Sequence, residues 1–367
     1  MKNLYIAIVL IFIVPAVSFG GDVYKIGVLG NTNSSIAVAA YNTAQMLADA
    51  GGNTADSFEL KAVFFDETEE GIKDRIKNEG GLVAVIGCFS AAHKEVVNEA
   101  DKITFISLCS RCPEFIENKN TFRIAASEGQ LARIQARIDY SVFGHRTFGV
   151  VYSGGKEKYK YMAEAYADTL KNNRGTLIQF KEVAPERKDF SNIIMYLRDK
   201  KTKVIYFAGP YKQAARFAKQ SRKMNSGAVF TSTAEIYNSG FSRRAGRGAQ
   251  GSEFVTKLPP SIWRIKGFKD FLRKYNKKYR TTSLYMPYAY DAVSLVIDAV
   301  KNGAQSGKET AGFLKQADYK GVSGRVAFGE TGENTDPEFY FYVIRGSEFL
   351  YRKFRSREKR LYKQSVF

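Results

Sequence analysis

Short apolar segments alternate with helix-length segments along the chain, and this alternation constrains the fold more than any other feature of the sequence. In its first run the predicted strands are Tyr24–Leu29, Leu60–Phe65, Val83–Gly87 and Ile103–Ser107. The predicted helices between them are Ser34–Ala50, Glu67–Glu79 and Ala91–Ala100. The strands are short and mostly apolar, as is typical of strands buried on both faces. Strand–helix alternation at this spacing predicts a parallel sheet with helices on both sides.

The alternation starts again after Ser127. The predicted elements of this second run are Glu128–Val142, Phe148–Tyr152, Lys156–Lys171, Leu177–Val183, Phe190–Asp199, Val204–Ala208, Tyr211–Met224 and Ala228–Thr231. Two long helices and a β-rich end follow, at Ile262–Tyr279, Pro287–Asn302, Val326–Phe328 and Glu338–Ile344. Two such runs in 367 residues predict two α/β lobes, because this length exceeds that of an average single domain. No sequence repeat is strong enough to prove that one lobe is a copy of the other.

The first twenty residues predict a secretory signal peptide. Lys2 gives a positive start, Leu4–Val14 form an unbroken apolar run, and Pro15 ends it, so cleavage is expected after Ser18 or Gly20. The alternative is a membrane anchor, but the run is far shorter than the roughly 20 residues that span a bilayer. The cleavage region contains no cysteine, which argues against a lipid anchor. We therefore expect a periplasmic protein.

The net charge of +19 often indicates a nucleic-acid partner, but an exported protein has little access to nucleic acid. In residues 261–280, apolar residues recur at spacings of three and four, so the basic residues there occupy the other face of an amphipathic helix. The tail from Arg352 to Lys363 is basic without a clear apolar stripe. It predicts either a solvated tail or contact with an anionic membrane surface or acidic partner.

Several segments carry a resemblance to one family. The clearest is the run KDFS at Lys188–Ser191, followed by VIYFAG at Val204–Gly209 and a helix with Ala214, Lys219 and Gln220. Further matches are Val85–Gly87, Phe105–Ser107, Tyr288–Val293 and Val326–Phe328. In this order and spacing, over roughly residues 22–350, the chain resembles the leucine/isoleucine/valine-binding branch of the type I periplasmic binding proteins.

The resemblance implies an α/β fold of two Rossmann-like lobes, each a mostly parallel sheet with helices on both faces, joined by a three-crossing hinge. By analogy, the first lobe takes 22–127 plus 259–325, the second takes 128–258 plus 326–352, and 353–367 form the basic tail. In this family a small-molecule solute binds in the cleft, the lobes close, and an ABC-type inner-membrane permease receives the solute. We expect a monomer without a cofactor or a nucleic-acid partner.

Two loops of the first lobe depart from the family pattern. After the strand that ends at Gly87, Ser90 and Ala91 begin a helix whose unpaired N–H groups favour an anion; Ser90 adds a donor to the ligand, caps its own helix, or does both. Arg111 stands where the family has a threonine that holds an α-amino group. A guanidinium cannot accept a hydrogen bond, so Arg111 indicates an anionic ligand without a free α-amine. If Arg111 points outward, amino-acid binding remains the expectation.

The resemblance also implies roles for four residues of the later loops. Glu235 falls close to an acidic residue that pairs with the ligand ammonium, and the alternative is a surface carboxylate. The positions of Tyr159, Tyr211 and Tyr285 are close to those at which the family has aromatic residues along the wall of the cleft. Aromatic rings suit this role because they bury a large area at little cost in rotamer entropy. Packing in the core is the alternative for each tyrosine.

Three cysteines follow two strands that should be neighbours. Exported thiols tend to oxidise, so we expect one disulfide, from Cys88 to Cys109 or Cys112, with one thiol left over. The C-x-x-C spacing of Cys109 and Cys112 leaves a redox motif as an alternative, and a zinc site completed by His93 is another. Neither fits the predicted fold as well as a disulfide does.

The sequence does not favour an enzyme. It has two histidines and none of the G-x-S-x-G, Walker-loop or H-E-x-x-H motifs. We therefore predict an extracytoplasmic solute-binding protein of an ABC importer, which binds a small amino acid or a carboxylate-bearing solute between two closing lobes. The alternative is a ligand-sensing or interaction protein of the same fold that is not coupled to transport.

Overall fold

The structure is a computed structural model that describes residues 22–51, 58–89, 93–99, 102–109 and 120–364. The predicted signal peptide lies outside the described residues, as do Ser90, Ala91, Arg111 and Cys112. Within the described part of the chain, no helix is both long enough and apolar enough to cross a bilayer.

The first run of the alternation forms a parallel sheet. Its strands are β1 (Asp22–Gly30), β2 (Phe58–Asp66), β3 (Leu82–Gly87), β4 (Thr104–Ser107) and β5 (Thr121–Arg123). The helices between them are α1 (Ser35–Gly51), α2 (Ile72–Asn78) and α3 (Lys94–Glu99). The spatial order is β2–β1–β3–β4–β5, with every neighbouring pair parallel. All of β3 is buried, as the prediction of a sheet covered on both faces requires.

Helix α2 is shorter than predicted because a turn precedes it. The Asp66 side chain accepts hydrogen bonds from the Thr68 backbone N–H (3.0 Å) and the Thr68 hydroxyl (2.7 Å). Such a side-chain-to-backbone bond favours a turn over a helix. The helix then begins only at Ile72, after Gly71 in a left-handed conformation (φ 74°).

The second run forms a sheet with the same topology. Its elements are α4 (Glu128–Arg137), β6 (Thr147–Ser153), α5 (Glu157–Asn172), β7 (Thr176–Val183), α6 (Ser191–Asp199), β8 (Val204–Ala208), α7 (Tyr211–Lys223), β9 (Val229–Ser232), α8 (Ser239–Ala245) and β10 (Glu253–Thr256). The strand order β7–β6–β8–β9–β10 corresponds to that of the first sheet. The two lobes therefore have the same strand order, although no sequence repeat indicated this.

The chain then returns to the first lobe. This part comprises α9 (Lys269–Tyr279), α10 (Met286–Lys301), α11 (Gly307–Lys315), β11 (Asp318–Gly321) and β12 (Gly324–Ala327). Helix α10 packs against α1, and most of its residues are buried. Val326 and Phe328 also pack in the core of the first sheet. This location differs from the predicted boundary at residue 326, because β12 pairs with β11 before the chain crosses to the second lobe.

The C-terminal part completes the second sheet. It comprises β13 (Tyr340–Arg345), β14 (Glu348–Arg352) and α12 (Ser356–Gln364), with β13 antiparallel to β10 and β14 antiparallel to β13. The basic tail predicted here is a helix preceded by a buried anchor, since Phe354 packs on Phe341 at a ring distance of 5.3 Å. Glu358 accepts a hydrogen bond from the Arg355 N–H (2.7 Å), which favours the start of α12.

Three segments connect the lobes, at residues 124–127, 257–261 and 328–339. The first and third are bonded to one another. The Arg123 backbone N–H donates to the Gly332 carbonyl (2.8 Å), and the Asn334 side-chain amide donates to the Ile124 carbonyl (3.0 Å). An ion pair joins the buried Arg123 to the half-buried Glu333 beside these bonds. The hinge is therefore a compact hydrogen-bonded structure and not a pair of loose linkers.

Candidate functional site

A cavity of about 640 Å³ lies where the carboxyl ends of strands from both sheets meet the connecting segments. Cys109, after β4, and Tyr285, before α10, belong to the first lobe. The residues after β9 and β10 and the first turns of α4 and α5 supply most of the remaining lining. This is the edge at which open α/β sheets bind ligands. The volume is suitable for a small molecule.

The lining has a charged part and an apolar part. The charged side chains are Glu128, Lys156, Lys158, Glu235 and Lys257. The apolar and aromatic side chains are Leu131, Ala132, Met162, Ala234, Val255, Leu258, Tyr206, Tyr237 and Tyr285. A solute with one apolar body and one or two charged groups matches this division.

Glu235 lies in the cavity, within a short 3₁₀ turn (Ala234–Ile236) that follows β9. Its Oε1 accepts a hydrogen bond from Lys158 Nζ (2.6 Å) and lies 3.4 Å from the Tyr159 hydroxyl. Burial alone would lower the pKa of Lys158, but the hydrogen bond and charge of Glu235 raise it. Burial, with the Glu235 charge, raises the pKa of Tyr159 to about 12. In this structure the Glu235 carboxylate is therefore neutralised by Lys158.

Lys257 is the first residue of the second connecting segment, and it is only 7% exposed although it lines the cavity. Its carbonyl accepts a 2.6 Å hydrogen bond from the Tyr288 hydroxyl of α10, which fixes the segment against the first lobe. Burial lowers the pKa of Lys257, whereas the charges of Cys109 and Glu128 act to raise it. A buried cation in a ligand-sized cavity is a suitable partner for a carboxylate.

Hydroxyl groups complete the floor of the cavity. Ser232 Oγ donates to the Phe207 carbonyl (2.7 Å), and Thr233 Oγ1 accepts from the Glu235 N–H (3.4 Å). Thr256 Oγ1 accepts from the Leu258 N–H (3.2 Å). These bonds to the backbone fix the ends of β9 and β10, from which Glu235 and Lys257 project.

The predicted site residues occupy different places. Glu235 and Tyr285 line the cavity, and Tyr159 lies behind Glu235 with 3% exposure. Tyr211 is not among the lining residues. Its ring packs so closely on Gly240 that a Cβ there would lie 2.8 Å from Tyr211 Cε2. Packing against the second core, the alternative given above, therefore describes Tyr211 in this structure.

Ser90, Ala91 and Arg111 lie outside the described residues, so their roles stay predictions. Cys88 is half-buried beside a smaller cavity of about 170 Å³ at the end of β3, and Cys109 is 2% exposed. The pairing of these cysteines also stays a prediction, because Cys112 lies outside the described part. Lys257, Glu128 and the two lysines at the start of α5 are cavity residues that sequence reasoning missed.

A buried carboxyl group adjoins the cavity wall and predicts a pH dependence of stability. Asp139 accepts hydrogen bonds from Gln135, a lining residue (2.9 Å), and from the Tyr166 hydroxyl (2.6 Å), yet burial raises its pKa to about 7. The folded state thus binds a proton between about pH 4 and pH 7 that the unfolded state releases. Stability from this group is lost as pH rises through that window. We expect Asp139 to lower the unfolding free energy by about 3 kcal/mol at pH 8 relative to pH 5.

Asp139→Asn provides the control for this prediction. Within the described residues, Gln135 Oε1 has no hydrogen-bond partner, so a flipped Gln135 amide could accept from the new Asn N–H. Denaturant melts of both proteins at pH 5 and pH 8 should show a smaller pH difference in the variant. Equal pH differences would mean that Asp139 titrates as it does in the unfolded chain.

Comparison with known proteins supports the same architecture. The family model described as "Periplasmic binding protein" matches residues 67–348. A curated relative, Leu/Ile/Val-binding protein homolog 3 of Brucella melitensis, is 24% identical over 230 residues. The aligned part is 60% of this chain and also 60% of that relative's length.

Two solved structures show the likeness of the fold. A putative branched-chain amino acid ABC transporter from Rhodospirillum rubrum has a TM-score of 0.74 at 18% identity, covering 90% of this chain and 100% of that one. An R. palustris ABC-transporter solute-binding protein in complex with benzoate has a TM-score of 0.62 at 15% identity, covering 90% and 95%. At these identities the likeness concerns the fold alone.

The two-lobed fold and the family resemblance predicted from the sequence are therefore confirmed. The family consists of solute-binding proteins without enzymatic activity, so the prediction that the chain is not an enzyme is confirmed as well. With more than half of its residues matched by the family model, the chain belongs to the periplasmic binding protein family.

Proposed function

We propose that this chain is the periplasmic solute-binding protein of an ABC importer and binds a small carboxylate-bearing solute, an amino acid or an aromatic acid, between its lobes. The cavity between the two sheets carries this proposal, because residues of both lobes line it together with a connecting segment. The predicted signal peptide supports export to the periplasm.

Binding works by a shift of population. A solute in the cavity contacts the second lobe through Glu235 and its neighbours, and it contacts Cys109 and Tyr285 of the first lobe only when the lobes are close together. The solute therefore favours the closed state by its difference in affinity for the two states. The closed, loaded protein is the form that a permease recognises.

The two parts of the lining suggest how the solute lies. Its carboxylate faces Lys257 and its apolar body lies against Leu131, Met162 and Val255. An α-ammonium group, where the solute has one, replaces Lys158 as the partner of Glu235, since both are cations of similar size. The names of the relatives support both chemistries, with Leu/Ile/Val in one and benzoate in another.

A thermal-shift panel tests the proposal. Leucine, isoleucine, valine and benzoate are compared with leucinamide and benzamide, which lack the carboxylate. We expect at least one carboxylate to raise the melting temperature, by about 5 °C at a concentration near 100 times its Kd. The matching amide should give no shift. If none of the carboxylates stabilises the protein, the proposed ligand class is wrong.

Glu235→Gln then separates the two chemistries. If an ammonium group binds Glu235, the variant should lose about tenfold or more in affinity for an amino acid, because a charge-assisted hydrogen bond is lost. Benzoate affinity should stay within about threefold, since benzoate has no ammonium group. Arg111→Ala is expected to weaken binding of either carboxylate, and unchanged binding would place Arg111 outside the site.

A further inference from the structure

The outer face of the second lobe carries a concentration of positive charge that the solute site does not use. Between residues 212 and 247 the chain has one acidic residue, Glu235, and this residue lies in the cavity paired with Lys158. The same segment has eight basic residues, all exposed: Lys212, Arg216, Lys219, Arg222, Lys223, Arg243, Arg244 and Arg247. We call this set the α7–α8 face.

The packing of α7 against α8 brings these cations side by side. Gly240, near the start of α8, lies against Tyr211 at the start of α7, where an added Cβ would be 2.8 Å from Cε2. Gly248 lies against the middle of α7, where an added Cβ would be 2.6 Å from the Ala218 carbonyl oxygen and 2.7 Å from Lys219 Cα. The two segments therefore run alongside one another, with Gly248, the residue after Arg247, against the backbone of Lys219.

The inward sides of the same helices are apolar. Ala214, Phe217, Phe241 and Ala245 pack in the core of the second lobe, so the basic residues between them must point away from the sheet. Among the described residues, none of the eight forms a salt bridge. Ordinary surfaces intersperse both signs of charge, because concentrated like charges repel one another. A single-sign face of this size indicates an anionic partner.

The observations favour a surface rather than a pocket ligand. The eight cations are spread along two helices, and none of them lines the cavities described above. On α6, which packs beside α7, Tyr196 is 44% exposed and Met195 is 39% exposed. Tyrosine and apolar side chains next to basic residues are typical of contact with lipid head groups. The nearest acid on this helix, Asp199, is paired with Arg198 (3.3 Å).

We propose that the α7–α8 face binds the surface of an anionic phospholipid bilayer. Each lysine or arginine near such a surface adds to the attraction, and the attraction falls off within a Debye length. This contact holds the protein at the membrane while its cavity remains accessible to solute, because the cavity is lined by other residues. This membrane-binding proposal rests on the proposed function in one respect: the protein must be exported to reach the outer surface of the inner membrane.

Vesicle sedimentation tests the proposal with the full mature chain. The wild type should sediment with vesicles that contain phosphatidylglycerol, should not sediment with phosphatidylcholine alone, and should dissociate as salt is raised. The variant Arg243→Gln/Arg244→Gln/Arg247→Gln should bind about 100-fold more weakly. These side chains are exposed, so its melting temperature should match the wild type.

A variant of equal net charge serves as the matched control. Lys269→Gln/Lys274→Gln/Lys277→Gln removes three exposed cations from α9 of the first lobe, and it should bind the anionic vesicles within about threefold of the wild type. Equal losses in the two variants would attribute binding to net charge and overturn the proposal. Absence of wild-type binding, or binding of soluble polyglutamate without vesicle binding, would also overturn it. None of these outcomes depends on the solute site.

Discussion

Replacing Lys257 by methionine should weaken carboxylate binding by about 100-fold or more while leaving the empty protein about as stable as the wild type. Removing one member of a buried charge pair in a binding site costs about 2–5 kcal/mol of binding energy. In the absence of solute, the same side chain is a buried cation whose pKa is lowered by burial. Methionine has a similar length and no charge to desolvate, and Glu333 keeps Arg123 as its ion-pair partner, so the change in stability should be small.

Two measurements on this variant should therefore differ: the affinity for the carboxylate falls, and the melting temperature of the empty protein stays close to that of the wild type. Calorimetric titration with the carboxylate found in the thermal-shift panel should show the loss of affinity, and a melt without ligand should show a melting temperature close to that of the wild type. Lys156→Met is the matched control, because Lys156 lines the same cavity but is exposed. Its effect on affinity should stay below about threefold. If Lys257→Met binds as the wild type does, the carboxylate lies elsewhere in the cavity.

The sequence predicted most strands of both lobes because they are short, continuous apolar segments, whereas β5 and β10 were not predicted. Segments such as Leu82–Gly87 and Val204–Ala208 are buried along their whole length, and such short continuous apolar runs are typical of strands covered on both faces. Irregular turns are less visible. The turn at Asp66 shortens α2 through one side chain, and the basic run after Arg352 forms a helix although it has no apolar stripe.

The site was harder to predict because its chemistry depends on contacts between distant parts of the chain. Glu235 and Tyr285 were predicted from their position in the family pattern and both line the cavity, while their contact with a solute stays a prediction. Tyr211 was predicted from the same pattern but does not line the cavity, since its ring packs on Gly240, and nothing near Tyr211 in the sequence indicates this. Lys257 is the clearest example of a site residue whose environment depends on a distant part of the chain. It follows an ordinary strand, and only the return of α10 and its Tyr288 shows that this lysine is buried.

The ion pair at the hinge lies close to Lys257. Arg123 is 2% exposed, and its partner Glu333 lies on the third connecting segment. Burial raises the pKa of Glu333, while the charges of Arg123, Arg133 and Lys257 act to lower it. The carboxylate therefore compensates two buried cations, Arg123 at the end of β5 and Lys257 in the second connecting segment. Removing the Glu333 carboxylate leaves these cations poorly solvated and without its negative charge. The free-energy cost of this is larger than the net stabilisation that the ion pair provides.

Glu333→Gln should accordingly lower the free energy of unfolding by about 3 kcal/mol. The double variant Arg123→Met/Glu333→Gln should recover a large part of that loss, because it removes the uncompensated guanidinium as well. The backbone bonds between Arg123 and Gly332 (2.8 Å) and between Asn334 and Arg123 (3.1 Å) do not involve the altered side chains, so the segments should stay in register. Urea melts of the wild type, both single variants and the double variant give the coupling energy. Strictly additive losses would show that the two charges stabilise the hinge independently, and that Arg123 is compensated by other groups.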